Sequence, residues 1–133
     1  LAWVAEPVSV RRIHLPVGHL SDGGCEDPRK LAHRALAQAS LYRCARQAGV
    51  GLDAPQMAHF ARAAFLLSRQ CALAGASRAS RDLFGLTLRA STPRRRLAPD
   101  LLLYGALAQI LGWRRSAHLT MALRRRMWRI AGR

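Results

Sequence analysis

The chain has 133 residues, half of them apolar, and carries a formal net charge of +15. This length can bury the core of one modest domain, and no apolar run reaches the ~18 residues that a membrane-spanning helix needs. Such a charge favours an anionic neighbour: nucleic acid, a phospholipid surface, phosphorylated substrates or an acidic domain. All but one of the 22 basic residues are Arg, which a GC-rich coding sequence also produces, so charge alone assigns no partner.

The first residues predict a strand and a break in a larger domain. Val8, Val10, Arg12 and His14 share one parity after Pro7, which is typical of a short strand. A single strand is not stable without partners, and the chain opens without Met or a signal sequence. We therefore expect the chain to be the C-terminal part of a longer protein. Processing or trimming is the simpler explanation for the missing Met.

The three cysteines do not predict a metal knuckle or a disulfide framework. Cys25, Cys44 and Cys71 are odd in number and too far apart for zinc-ligand pairs. A reducing compartment is the default expectation.

The next signals predict two helices. After a turn at 21–24, Asp27 and Pro28 can cap and begin a helix over 28–48 that ends at Gly49. Asp53 and Gln56, as cap and third residue, predict the start of a second helix that ends at Gly75. Its predicted buried stripe consists of Met57, Phe60, Ala61, Ala64, Phe65, Ser68, Cys71 and Ala72.

Three further segments complete the predicted bundle. Ser77 is expected to cap a third helix, which ends before Pro93 and forms an antiparallel hairpin with the second. Residues 91–96 are predicted to be a connector. A fourth helix from Pro99 to Gly112 is apolar almost all round and should be buried by several neighbours. The fifth helix, 114–130, carries one predicted stripe: Leu119, Leu123, Met127 and Ile130.

The predicted fold class is mainly α: about five helices behind a short β remnant. Residues 1–26 are expected to form the terminal strand or strands and loop of a mostly missing α/β catalytic domain, and residues 27–133 a C-terminal helical domain.

The basic last helix has three interpretations. Its membrane or anionic-surface candidates are Trp113, Arg124, Arg125, Trp128 and Arg129, because Arg meets lipid phosphates and Trp favours the interface. A solvated Arg face over a core stripe is slightly favoured. Nucleic-acid binding is disfavoured, since no reading motif is present and aromatic residues are few.

Motifs for chemistry are scarce. The sequence has no Gly-rich phosphate loop and no Gly-x-Ser-x-Gly elbow, so a complete active site is not expected. Glu26 and Asp27 are explained by the start of a helix. His14 and His19 flank a Pro-Gly loop, where His14 is either structural or a ligand for a divalent cation.

Two parts of the chain resemble family 2 glycosyltransferases, the inverting enzymes of GT-A fold. The run 3–14, then Gly18 and Ser21, is similar to the end of their catalytic domain, where a strand ends in Arg-x-His before a Gly/Ser loop. The later runs 65–75, 80–84 and 103–107, with Gly112 and Trp113, resemble the helical tail of many bacterial members. Arg11 stands where an aromatic residue is common, and Leu15-Pro16 follows His14.

This resemblance implies a bacterial nucleotide-sugar-dependent transferase whose Asp-x-Asp motif and catalytic base lie upstream. His14 would help to hold a divalent cation, Mg or Mn, and Arg12 would support the donor diphosphate or an acidic neighbour. The acceptor would be a polysaccharide, a lipid-linked glycan or a protein. The resemblance implies a cytoplasmic protein, either free or peripheral on the inner face of the plasma membrane. It also implies that this fragment is inactive on its own.

The alternative is a non-enzymatic basic scaffold or binding module. The small residues on the second and third helices suggest a tetratricopeptide-type hairpin array, but the repeat of about 34 residues is not found. A basic nucleic-acid-binding bundle is third, and salt-sensitive affinity for DNA would favour it.

Overall fold

The computed structural model describes the backbone of residues 27–131 and the side chains of residues 27–123. Over that range the chain forms α1 (Pro28–Gln47), α2 (Pro55–Leu73), α3 (Ser77–Ala90), α4 (Pro93–Arg96), α5 (Pro99–Leu111) and α6 (Trp113–Ala131). The predicted mainly helical class is thus confirmed, and no strand occurs between residues 27 and 131. The predicted β remnant lies outside the described residues.

Two helices begin at a side-chain cap followed by proline. The Asp27 carboxylate accepts a hydrogen bond of 2.9 Å from the Arg29 N–H, and Pro28 begins α1 as predicted. Thr92 and Pro93 do the same for α4, where the Thr92 hydroxyl accepts from the Arg95 N–H at 3.4 Å. The prediction of a connector over 91–96 missed this single turn, although the Thr-Pro pair signals it.

Two predicted caps were wrong by one residue. Ala54 takes the N-cap position of α2 without a side-chain hydrogen bond, because Pro55 disfavours helical geometry in the residue before it. Asp53 is therefore one residue too early. At α3 the cap is Ala76 and Ser77 is already helical, since the chain reverses in only three residues.

Glycine ends α1 and α2 as predicted. Gly49 and Gly75 have φ values of 79° and 84°, which are unfavourable for residues with a Cβ. After each glycine the next N–H returns to a carbonyl inside the helix, at 3.0 Å from Val50 to Ala45 and 2.8 Å from Ala76 to Cys71. The second of these turns joins α2 to α3 as a hairpin.

The α2–α3 hairpin is the centre of the bundle. Small residues on α2, including Ala64 and Ser68, are fully buried and let α3 approach closely. The predicted stripe of α2 is confirmed, with Phe60 and Phe65 partly buried and the other six members buried. Leu31 and Ala35 of α1 pack on this pair beside Cys71 and Leu83.

The predicted burial of α5 was wrong. Only Leu101, Tyr104 and Ala108 are buried, along one side of the helix. On the other side Leu102, Leu103 and Ile110 are 53%, 56% and 79% exposed. The described bundle gives α5 neighbours on one side only, chiefly α6, which follows directly after the turn at Gly112.

The predicted inward stripe of α6 was also wrong over the described side chains. Ser116 and Ala117 are buried, while Leu119 and Leu123 are 42% and 48% exposed. The buried face of α6 consists of small residues because these permit close packing against α2 and α5. Leu119 and Leu123 lie beside that buried face and are themselves exposed.

Candidate functional site

Four aromatic side chains from four helices meet between α2, α3, α5 and α6. Tyr104 of α5 lies 5.4 Å from Phe65 of α2, edge to face, and 5.8 Å from Phe84 of α3, measured between ring centroids. Trp113 of α6 lies 5.5 Å from Phe84 and 6.1 Å from Tyr104. Rings at these separations attract one another. This set of four is the aromatic cluster.

A group of buried hydroxyls lies behind the aromatic cluster. Ser68 Oγ donates to the Ser80 carbonyl at 2.8 Å and lies 3.3 Å from Ser80 Oγ, and both serines are fully buried. The Tyr104 hydroxyl lies close enough to both serine hydroxyls for them to lower its pKa, but it makes no hydrogen bond with good geometry to any described group. The phenol is thus a buried polar group without a partner in the described structure.

Arg69 connects this region to α6. One terminal nitrogen of its guanidinium donates to Thr120 Oγ1 at 3.3 Å, and its Nε is buried without a hydrogen bond. The guanidinium carbon lies 6.0 Å from the centroid of the Phe65 ring, at the limit of a cation–π contact. Arg69 thus reaches from α2 to α6 and is partly buried.

Burial governs the acid–base behaviour of the two titratable groups in this region. It raises the pKa of Tyr104 above 10.0, an effect that Ser80, Arg69 and Ser68 partly oppose. It also raises the pKa of the Cys71 thiol above 9.0, partly opposed by Arg34. Because a nucleophilic cysteine needs a lowered pKa and access, Cys71 is suited to packing and not to covalent chemistry.

The buried serines are equally unsuited to nucleophilic catalysis. Ser68 gives its proton to a backbone carbonyl, whereas an activated serine needs a neighbouring general base. Among the described side chains, no group of three or more His, Cys, Asp and Glu residues could hold a metal ion. The buried hydroxyls therefore act in packing.

Two depressions open on the surface of the described bundle. A groove of about 690 Å³ runs between α1 and α3, with Leu36, Leu83 and Leu86 in its lining and Arg78 and Arg89 among its polar residues. A smaller cavity of about 330 Å³ lies between the α3–α4 corner and α2. It is lined in part by Thr87, Ser91 and the two arginines Arg62 and Arg95.

The predicted site residues are not brought together in the described structure. Arg12 and His14 lie outside the described residues, so the predicted metal and diphosphate contacts stay predictions. Trp113 is half-buried in the aromatic cluster. Arg124, Arg125, Trp128 and Arg129 belong to α6, beyond the described side chains.

The outer face of α5, which we define as Leu102, Leu103, Ala106 and Ile110, was not predicted from the sequence. All four are exposed. They recur at intervals of one, three and four residues, so they share one side of the helix. The signal was present in the sequence, but an all-apolar helix was interpreted as wholly buried.

Comparisons with protein-family models, with curated proteins and with solved structures find no match to this chain. Within the described residues, no helix is long and apolar enough to cross a membrane.

Proposed function

We propose that this chain is the C-terminal region of a family 2 glycosyltransferase. The complete enzyme would use a nucleotide sugar to glycosylate a polysaccharide, a lipid-linked glycan or a protein at the cytoplasmic side of the membrane. The proposal rests first on the resemblance of the run 3–14, which precedes α1 in the chain, to the end of the GT-A catalytic domain.

The aromatic cluster is the observation that carries the proposal. Three runs and the pair Gly112-Trp113 resemble the helical tail of the family, and each contributes one ring: Phe65, Phe84, Tyr104 and Trp113. These matching positions pack together as one unit, which supports the proposal.

In this proposal the two parts of the chain have different roles. His14 would hold the divalent cation, Mg or Mn, that neutralises the diphosphate of the donor, and Arg12 would support the diphosphate. The Asp-x-Asp motif and the base would come from upstream residues. The helices would cover the catalytic domain or shape the acceptor side.

The test uses the longer protein in which residues 1–133 follow their upstream sequence. We expect it to release nucleoside diphosphate from a nucleotide sugar only when Mg²⁺ or Mn²⁺ is present. His14→Ala should lower this metal-dependent release by about tenfold or more, comparable to the loss of groups that support a bound metal.

His19→Ala is the matched control, because it removes the other histidine of the same segment. It should leave release unchanged. If His14→Ala and His19→Ala behaved alike in folded protein, the ligand role of His14 would be wrong. If the longer protein released no diphosphate from any nucleotide sugar tried, the glycosyltransferase proposal itself would fall.

A further inference from the structure

The outer face of α5 is apolar and exposed, and the helix does not use this face to pack on the rest of the bundle. The opposite side of the helix holds α5 in place through Leu101, Tyr104 and Ala108, which are 2%, 1% and 4% exposed. Leu102, Leu103 and Ile110, by contrast, are at least half exposed. Contiguous exposed aliphatic side chains on a helix mark a surface that is covered by a partner.

The charges at the two ends of α5 indicate the chemistry of that partner. Arg94, Arg95 and Arg96 precede the helix, Arg114 and Arg115 follow it, and all five are exposed. Asp100 is the only acidic residue from 94 to 115, and it pairs with Arg95 at 2.7 Å. The segment is therefore strongly cationic at both ends and aliphatic between them.

This order of groups matches an anionic phospholipid surface. Aliphatic side chains enter the boundary between headgroups and acyl chains, while arginines contact the lipid phosphates. The 13 residues of α5 span about 20 Å, so the helix can lie in the plane of the interface but cannot cross it. A nucleic acid would match the arginines, but its phosphates would gain nothing from the aliphatic side chains between them.

We propose that the outer face of α5 docks this protein on an anionic phospholipid membrane, with the axis of α5 parallel to the bilayer and the flanking arginines on the phosphates. The site differs from the one predicted on α6, since Trp113 is engaged in the aromatic cluster. The proposal does not depend on glycosyl transfer. It is tested on residues 1–133 without any sugar donor, so its failure is distinct from failure of the proposed function.

The first experiment is co-sedimentation of the protein with vesicles. Vesicles of phosphatidylcholine alone are compared with vesicles of phosphatidylcholine and phosphatidylglycerol at roughly 7:3, near the charge of an anionic leaflet. We expect binding to the anionic vesicles, at least about tenfold weaker binding to the neutral ones, and loss of binding as salt is raised.

Paired substitutions of exposed aliphatic residues test whether the outer face of α5 is the binding surface. Leu102→Gln with Ile110→Gln should weaken binding to anionic vesicles by about tenfold or more. Leu36→Gln with Leu41→Gln, on α1, alters side chains that are 68% and 57% exposed and should leave binding unchanged. Arg94→Gln with Arg114→Gln should weaken binding more than Arg43→Gln with Arg81→Gln.

A fluorescence measurement keeps the test independent of variant stability. With Cys25→Ser and Cys44→Ser as background, an environment-sensitive dye is attached at Leu102→Cys or at Leu36→Cys, leaving the buried Cys71 in place. Anionic vesicles should shift the emission of the first dye to the blue and leave the second unchanged. Equal shifts at the two positions would overturn the proposal.

Other occupants of the surface give different results. Equal binding to neutral and anionic vesicles, or undiminished binding by the α5 leucine variants, would overturn the proposal. A dimer in sedimentation velocity that Leu102→Gln with Ile110→Gln dissociates, without vesicle binding by the unchanged protein, would mean that a second copy covers the face.

Discussion

The Tyr104 hydroxyl combines nearly complete burial with the lack of a hydrogen-bond partner in the described structure. The side chain is 1% exposed, and its ring is fixed by Phe65, Phe84 and Trp113. A buried polar group without a partner opposes folding by roughly 1–3 kcal/mol. The ring of Tyr104 therefore stabilises the bundle while its hydroxyl does not.

We expect Tyr104→Phe to leave the free energy of unfolding unchanged or raise it by up to about 1 kcal/mol, because the change removes the unpaired hydroxyl and keeps the ring. Urea denaturation monitored by circular dichroism measures this. Tyr42→Phe is the control: the Tyr42 hydroxyl donates to the Arg89 carbonyl at 3.3 Å, and its loss should cost about 0.5–1 kcal/mol. A larger loss in Tyr104→Phe than in Tyr42→Phe would mean that the Tyr104 hydroxyl is bonded.

Alkaline pH should destabilise the protein through Cys71 and Tyr104. Burial raises the pKa of Cys71 above 9.0 and the pKa of Tyr104 above 10.0. Each protonated group therefore favours the folded state fully below its value. As pH rises past them, the unfolded chain loses protons first and the free energy of unfolding falls. Under reducing conditions, the free energy of unfolding of Cys71→Ala should fall less steeply above pH 9 than that of the unchanged protein. Parallel curves would mean that the thiol contributes nothing to the slope.

At the scale of the helices, the contact between α3 and α5 depends on a glycine. A Cβ added at Gly105 would lie 3.1 Å from Cζ and 3.3 Å from Cε1 of Phe84. Phe84 cannot move away easily, because its ring also contacts Phe65, Tyr104 and Trp113. The missing side chain thus permits the Phe84 ring of α3 to pack directly on the backbone of α5.

We expect Gly105→Ala to lower the free energy of unfolding or leave it unchanged, even though Ala favours a helix over Gly by up to about 1 kcal/mol. Gly85→Ala, in the interior of α3, is the matched control, since a Cβ there meets nothing within 4 Å. It should raise stability by roughly 0.5–1 kcal/mol. Equal rises in the melting temperature of the two variants would show that the Phe84 ring moves aside without cost.

For the whole molecule, the excess of positive charge opposes the compact state. The chain has 22 basic and 7 acidic residues. The ion pair that the described structure shows, Arg95 with Asp100, is about half exposed and contributes little. Repulsion among like charges at these densities destabilises folding, and salt screens it.

We expect the melting temperature to rise by roughly 4 °C between about 20 mM and 300 mM NaCl, equivalent to some 1 kcal/mol for a domain of this size. Thermal circular dichroism measures the change. A variant with Arg62→Gln, Arg78→Gln and Arg81→Gln should melt higher at low salt and depend less on salt. A melting temperature that falls with salt would mean that attractive pairs outweigh the repulsion.

The sequence by itself determined the long helices of this protein. Asp27 with Pro28, Gly49, Gly75 and Gly112 act through local hydrogen bonds and fixed φ angles, so the bounds of α1 and α5 and the C-terminal end of α2 could be predicted from neighbouring residues. The burial of Ala64 and Ser68 was predictable for the same reason, because a stripe at helical spacing needs no knowledge of its partner.

Only the tertiary structure decided which apolar side chains of α5 and α6 are covered. Spacing gives the faces of a helix, but burial depends on how many neighbours the turn at Gly112 leaves around it. That is why Leu102, Ile110 and Leu119 are exposed although their sequence context predicted a core. The aromatic cluster likewise required the fold, since its four rings are separated by up to 48 positions and meet only when α2, α3, α5 and α6 pack together.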